Sequence, residues 1–181
     1  MRCLSPPLAK ILEKSTFFFQ QPVLLFCPGR TSSFLWRDLM STDNIALGRS
    51  WFEQVWNQRN VDAADHLASS DCLGHGSTPG AAAATIPEFK VFAQGVLAAF
   101  PDIHISIDDT IAQGDRVVLR WHADGTHAAP YMGLAASNAK IAVRGTTILR
   151  IANGKIAEAW DNWDQYGFLT QIGALPVAKA A

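Results

Sequence analysis

The sequence predicts an α+β domain in which N-terminal helices pack on one face of a curved, mostly antiparallel sheet. Hydrophobic residues first recur at helical spacing after Thr42, and several segments with the two-residue period of strands follow them. The pair Asn153-Gly154 stands between the last two of these segments. Asn-Gly between apolar runs is the strongest short-range signal for a tight antiparallel hairpin, because both central residues need positive φ.

Two helices are predicted at the start of the domain. The first is long, and its apolar stripe consists of Ile45, Gly48, Trp51, Phe52, Val55 and Trp56. A shorter helix begins at Asn60 and ends near Ser69. The residues after it, up to Pro79, are predicted as a loop, in which His75 stands between two glycines. His75 is therefore either an exposed loop residue or a side chain that points into a pocket.

A capping box begins the third predicted helix. Thr85 and Glu88 have the required spacing, so each side chain can satisfy a free backbone N–H group of the first turn. The apolar side chains of this helix end at Phe100, and Pro101 closes it. The predicted strands follow, over residues 103–107, 116–122, 139–151 and 156–160.

A short helix is predicted after the last strand. Tyr166, Leu169 and Ile172 share one face of it, and Gly173 ends it. Asp164 stands where the strand becomes this helix. It is either an N-cap, which accepts hydrogen bonds from free backbone N–H groups, or a proton-transfer carboxylate at an apolar cavity lined by tryptophans, of which Trp160 is one.

The remaining candidate site residues are polar side chains of the sheet region: Arg120, His122, His127 and Tyr131. Arg120 and His122 share one face of their strand, and Trp121 takes the other. They either stabilise a developing enolate in a cavity or lie on the solvent face. Alternation by itself leaves this open, because both faces are mixed.

Composition and charge exclude several classes of protein. The chain has 181 residues, of which 49% are hydrophobic and 17% are charged, so one soluble globular domain with a sizeable core is predicted. A net charge of −1 gives no electrostatic argument for nucleic acid or an anionic membrane surface as a partner, and neither is predicted. Three cysteines without regular spacing predict neither a disulfide framework nor a metal site, and a cytoplasmic location is expected.

The first forty residues differ from the rest. Their apolar runs are too short to span a bilayer, and prolines interrupt them. We predict a disordered extension over residues 1–40, a domain over 41–177 and a tail over 178–181. A secretory signal or a mitochondrial presequence is the alternative for the extension.

No known catalytic motif explains the candidate residues. The sequence contains no phosphate-binding loop, no Gly-x-Ser-x-Gly elbow and no His-Glu-x-x-His. A catalytic site in this domain, if there is one, is therefore predicted to use acid–base chemistry.

The C-terminal third carries a recognisable series of motifs. It runs Asn153-Gly-Lys-Ile-Ala-Glu158-Ala-Trp160, then Asp164, then Leu169-Thr-Gln171-Ile-Gly173. Upstream, in order, stand Phe100-Pro-Asp102, Gly114-Asp115-Arg-Val117, Gly125-Thr-His127, Met132-Gly133 and Arg150. From about Thr42 to Pro176 the chain resembles the SnoaL-like polyketide (ester) cyclases, which share the nuclear-transport-factor-2-like fold.

The resemblance implies a cone-shaped fold around an apolar cavity and a homodimer formed through the outer sheet face. It implies intramolecular aldol condensation of a small hydrophobic carbonyl substrate, with Asp164 as general acid and base and with neither a metal nor a cofactor. An epoxide-hydrolase-like or isomerase-like enzyme of the same fold is an alternative, with Arg120 and Asp164 as the nearest equivalent of an arginine–carboxylate pair. A non-catalytic small-molecule binding module is another, since fold alone implies no activity.

Overall fold

Helices pack on a five-stranded sheet in the computed structural model, which describes residues 32–76 and 82–176, without the side chains of residues 32–40. The helices are α1 (Ser32–Trp51), which continues into a π-helical turn (Phe52–Asn57), a 3-10 turn (Val61–Ala63), α2 (Ala64–Leu67), α3 (Ile86–Ala99) and α4 (Gln165–Gln171). The strands are β1 (Ala68–His75), β2 (His104–Gln113), β3 (Arg116–Thr126), β4 (Lys140–Ala152) and β5 (Lys155–Trp163), in the order β1-β5-β4-β3-β2.

The predicted α+β class is confirmed, and the sheet is mostly antiparallel. The exception is β1, which pairs parallel to β5 at the edge of the sheet. The sequence prediction of a loop over these residues was wrong. Ala68-Ser-Ser-Asp-Cys-Leu-Gly-His is small and polar and lacks strand periodicity, and pairing with β5 is what makes it extended.

The start of the domain also differs from the prediction. Helix α1 begins at Ser32, so residues 32–40, which the sequence assigns to the extension, are helical. The rest of the predicted extension, residues 1–31, lies outside the described residues, as do residues 177–181. None of the helices in the described ranges combines the length and apolar character that a membrane span requires.

The core lies between the inner face of the sheet and the helices. Val117 and Leu119 of β3 and Leu149 of β4 are wholly buried on that face. Val55 of the π-helical turn and Phe100, which follows α3, are buried against it from the helical side. Several large side chains leave no exposed surface, so this layer contributes most of the hydrophobic stabilisation.

The hairpin between β4 and β5 forms as the sequence predicts. Asn153 has φ of 53° and Gly154 has φ of 70°, the positive values that this tight turn requires. Two residues further on, the pairing shifts by one: Ile151 is opposite Ile156, but Arg150 is opposite Glu158. Ala157 is therefore the extra residue of a β-bulge.

The bulge decides which residues of β5 face inward. Ile156 faces the core, but beyond Ala157 the alternation is inverted. Asp161 is paired with Thr147 and Trp163 with Gly145, both on the inner face of β4. Glu158 and Trp160 are paired with outward-facing residues of β4. One inserted residue thus turns the side chains of Asp161 and Trp163 toward the helices.

Candidate active site

A cavity of about 330 Å³ lies between the inner face of the sheet and the helices. Its size is typical of a small-molecule site. Its walls are mostly aromatic and aliphatic, with Trp51, Phe52, Trp56, Phe89, Phe92, Phe100, Trp121, Tyr131, Trp163 and Phe168 as the Trp, Phe and Tyr members. The described residues that line it include no arginine and no lysine. Such a cavity suits an apolar, uncharged ligand.

Asp161 is the carboxylate on the sheet side of this cavity. The Thr147 hydroxyl, on the neighbouring strand, donates a hydrogen bond to Asp161 Oδ1. The indole Nε1–H of Trp121 in turn donates to Thr147 Oγ1 at 3.0 Å. Because one residue on each of β3, β4 and β5 contributes, the register of three strands holds the Asp161 carboxyl in place.

The surroundings of Asp161 favour its protonated form. Burial raises the pKa of Asp161, and the hydrogen bond from Thr147 opposes part of that shift. A carboxyl with a raised pKa is both a stronger base and a usable acid near neutral pH.

Gly145 makes room for the indole that orders this network. It lies on β4 opposite both Trp121 and Trp163. A Cβ atom at position 145 would lie 2.3 Å from Cζ2 of Trp121, far inside van der Waals contact. The glycine therefore lets the Trp121 ring lie flat against β4, with its N–H toward Thr147.

Asp164 occupies a different place from Asp161. It is exposed, it is absent from the cavity lining, and its Oδ1 accepts a hydrogen bond from the backbone N–H of Gly167 at 2.7 Å. This is the N-cap of α4. The contacts match the capping interpretation, and they do not favour the catalytic one.

The other motif residues of α4 also have structural contacts. The Gln171 side chain accepts from Ala142 N at 2.7 Å and donates to Ala142 O at 3.2 Å, which ties α4 to β4. Phe168 is thereby held against Trp163, with ring centroids 5.5 Å apart, and both rings line the cavity. Asp164 and Gln171 therefore position one cavity wall.

Arg120 and His122 lie on the outer face of the sheet. Asp108 of β2 bonds to both, at 3.0 Å from Arg120 Nη1 and 2.6 Å from His122 Nδ1. Trp121, between them, points inward to the cavity. Among the predicted site residues, these two are therefore separated from the cavity by the sheet.

Trp160 is also on the outer face, because of the bulge at Ala157. Its ring stacks on His75, with centroids 5.4 Å apart, and the Arg116 guanidinium lies 5.0 Å from its centroid. His75 Nε2 pairs with Glu158 Oε1 at 3.0 Å, although His75 also borders the cavity at the end of β1. Of this group only His75 is placed to contact a ligand.

His127 and Tyr131 belong to the connection between β3 and β4. His127 is 0% exposed, stacks on Phe100 and bonds through Nδ1 to Ser137 Oγ at 3.0 Å, but it does not line the cavity. Tyr131 does line it. The structure thus brings Tyr131 and His75 to the cavity from the predicted set, and adds Asp161.

Sequence reasoning missed Asp161 because an uninterrupted strand would place it on the same face as the exposed hairpin residues. One signal was available. Between Ile156 and the helix cap at Asp164, Asp161 is the only acidic residue that lies opposite a threonine. This becomes visible only once the register of β5 with β4 is known.

The comparisons with known proteins now decide the family. The sequence profile of the SnoaL-like polyketide cyclases matches residues 46–172. The chain belongs to this family. The comparison with curated proteins yields no match.

Solved structures resemble this SnoaL-like domain in fold. AclR from Streptomyces galilaeus, a candidate hydroxylase, is 24% identical over 77% of this chain and 86% of its own, with a TM-score of 0.69. A candidate SnoaL-like polyketide cyclase from Jannaschia sp. CCS1 is 20% identical over 75% of this chain and 95% of its own, with a TM-score of 0.68. IdmH from Streptomyces antibioticus, a candidate polyketide cyclase, is 24% identical over 74% and 98%, with a TM-score of 0.62.

Proposed function

We propose that this SnoaL-like protein transfers protons at a carbon next to a carbonyl group, as in the intramolecular aldol closure of a polyketide-like ring, with Asp161 as general acid and base. The observation that supports this most is the carboxyl of Asp161, with its raised pKa, in an apolar cavity of about 330 Å³. Family membership supports the reaction class.

The chemistry needs one group that takes and returns a proton. The Asp161 carboxylate removes the proton, and the electron pair of the C–H bond becomes the enolate. The enolate carbon attacks a second carbonyl of the same molecule and forms the C–C bond. The resulting alkoxide takes the proton back from Asp161. Holding both ends of one molecule between aromatic walls supplies the orientation.

The lining favours this proposal over the epoxide-hydrolase-like alternative. That chemistry was expected to pair a carboxylate with Arg120, but Arg120 lies on the outer face and bonds to Asp108. A non-catalytic binding module would not need a carboxyl that costs stability at neutral pH. An isomerase-like reaction uses the same proton transfer and differs only in the substrate.

Deuterium exchange tests the proposal without knowledge of the natural substrate. The probe is 2-tetralone, a neutral bicyclic ketone whose C1 protons lie between a carbonyl and an aromatic ring. We expect the protein to accelerate exchange of these protons in D₂O, followed by proton NMR. Binding of 2-tetralone in a thermal shift assay with no acceleration of exchange would favour the binding module instead.

We also propose that two copies associate through the outer face of the sheet. An apolar row crosses this face where Val118, Ile148 and Trp160 are paired in register on β3, β4 and β5. Charged residues, Arg116, Arg150 and Glu158, flank the row. A two-fold axis through such a row would bury it against itself.

Replacing Ile148 with arginine is expected to dissociate this dimer, because two copies of the new charge would meet near the axis without a partner. Sedimentation velocity at micromolar concentration measures the change from dimer to monomer. The control is Val91→Arg, at a 71% exposed apolar residue of α3 away from the sheet. A wild-type protein that sediments as a monomer would refute the dimer.

A further inference from the structure

Tyr131 is held in a defined turn at the edge of the cavity. Its backbone N–H donates to Leu134 O at 3.0 Å, and Leu134 N–H donates back to Tyr131 O at 2.9 Å. Between them Met132 and Gly133 have φ of 49° and 78°, as a tight turn with two left-handed residues requires. The position of Tyr131 is thus set by its own turn.

The ring of Tyr131 is fixed by two aromatic neighbours. It packs edge-on against Phe100, with centroids 5.7 Å apart, and against Phe168, with centroids 6.1 Å apart. Both neighbours are buried and line the cavity. With its ring confined in this way, Tyr131 borders the same space as Asp161 but comes from the β3–β4 connection, not from the sheet.

The hydroxyl of Tyr131 makes no hydrogen bond to any other described residue. Other acidic or basic groups of the lining are already engaged: His75 with Glu158, Glu88 with the backbone and hydroxyl of Thr85, and Asp161 with Thr147. Burial raises the pKa of Tyr131, so its phenol remains a neutral donor above neutral pH. A half-buried phenol with no acceptor among the described residues has its hydrogen bond available for a ligand.

We propose that Tyr131 is a second catalytic group, whose phenol donates a hydrogen bond to the substrate carbonyl oxygen while Asp161 moves the proton at the adjacent carbon. This inference rests on the proposed function. When Asp161 removes the α-proton, the electron pair moves into the carbonyl and negative charge develops on its oxygen. A preorganised donor in an apolar site stabilises that charge more than it stabilises the neutral ketone, which lowers the barrier.

The charge balance of the cavity explains why such a donor matters here. The described lining contains no arginine or lysine to meet an enolate oxygen, and Asp161 in the cavity wall is itself a potential negative charge. A neutral phenol offers a hydrogen bond without binding the Asp161 carboxylate as an ion pair. It therefore leaves the pKa of Asp161 raised.

Tyr131→Phe tests the inference in the 2-tetralone exchange assay. Loss of one oxyanion donor typically costs about 10²-fold in rate, and we expect a loss of that order in kcat with KM changed by less than about threefold. The ring and its packing remain, so the thermal unfolding midpoint should not change. The matched control is Tyr166→Phe, at the other tyrosine of the chain, which is 59% exposed on α4.

The outcomes separate the two proposals. If Tyr131→Phe exchanges 2-tetralone at the wild-type rate while Asp161→Asn is inactive, the role of Tyr131 is refuted and the proposed function stands. If Asp161→Asn keeps the wild-type rate, the proposed function fails, and a binding measurement decides on Tyr131 alone.

That measurement uses 2-naphthol, whose oxyanion mimics an enolate, titrated by fluorescence while bound to the Asp161→Asn protein. Asparagine at position 161 removes the competing negative charge. A hydrogen bond from Tyr131 should favour the bound oxyanion, so adding Tyr131→Phe should raise the apparent pKa of bound 2-naphthol. Each pKa unit corresponds to about a tenfold loss of preference for the oxyanion. An unchanged titration, or failure of 2-naphthol to bind, would overturn the donor role.

Discussion

Replacing Asp161 with asparagine is expected to slow the exchange of 2-tetralone by about two to four orders of magnitude, the usual contribution of a positioned acid or base. Asparagine keeps the shape of the side chain and still accepts the Thr147 hydrogen bond, but it is no base. In the wild type, the rate should rise with pH as the Asp161 carboxyl, whose pKa is raised, loses its proton.

The same substitution is expected to stabilise the fold at neutral pH. Because the folded protein raises the pKa of Asp161 above its unfolded value, it binds the proton more tightly than the unfolded chain does. The favourable contribution is complete below the ordinary aspartate pKa of about 3.9 and is lost as pH rises through the folded value. Asp161→Asn should therefore unfold at a higher temperature than wild type at pH 7, and the difference should shrink in acid.

Asp164 provides the matched control for this experiment. Asn caps a helix about as well as Asp, so Asp164→Asn should change neither exchange nor stability. Asp164→Ala should lose about 1 kcal/mol through the missing cap of α4. Loss of exchange in Asp164→Asn with a retained rate in Asp161→Asn would reverse the two assignments and restore the prediction made from the family motif.

The second large effect is expected at Gly145. Gly145→Ala would place a methyl group 2.3 Å from the Trp121 ring, in the layer between Trp121 and Trp163. Overpacking of this kind typically costs about 1–3 kcal/mol. Urea denaturation followed by circular dichroism measures the loss of stability. Backbone strain at position 145 would not account for it, because Gly145 is not among the residues with positive φ.

Gly95 offers the comparison for that substitution. It lies inside α3, and a Cβ added there meets nothing within 4 Å. Gly95→Ala should stabilise the protein by about 0.5–1 kcal/mol, because alanine loses less conformational entropy in a helix. Gly145→Ala should also slow exchange, since a displaced Trp121 no longer orders Thr147. Wild-type stability in Gly145→Ala would refute the close packing of these side chains.

Local chemistry allowed most of the fold to be predicted. The Asn153-Gly154 turn, the Thr85–Glu88 capping box and the positive φ of Gly173 just after α4 form as expected, because each depends on residues close in sequence. Strand β1 was not predicted, because its extended conformation depends on pairing with β5, more than eighty residues away along the chain.

The face of each side chain was the harder question. From Ile156 an uninterrupted alternation would place Glu158 and Trp160 on the inner face. The bulge at Ala157 inverts this pattern and turns Asp161 inward. A one-residue change of register exchanges the two faces of a strand, and no local signal in Lys-Ile-Ala-Glu fixes where it occurs.

The sequence by itself determined the fold class, the hairpin, the helix caps and the family, because local propensities and motifs depend on residues that are close together in the chain. Tertiary structure decided which of two aspartates, three residues apart, faces the cavity. Asp164 caps a helix because it precedes one, a local fact. Asp161 contacts Thr147, and Thr147 contacts Trp121, because β3, β4 and β5 pair in one register and the bulge at Ala157 shifts β5 by one residue. Pairing between such distant segments is a property of the folded chain alone.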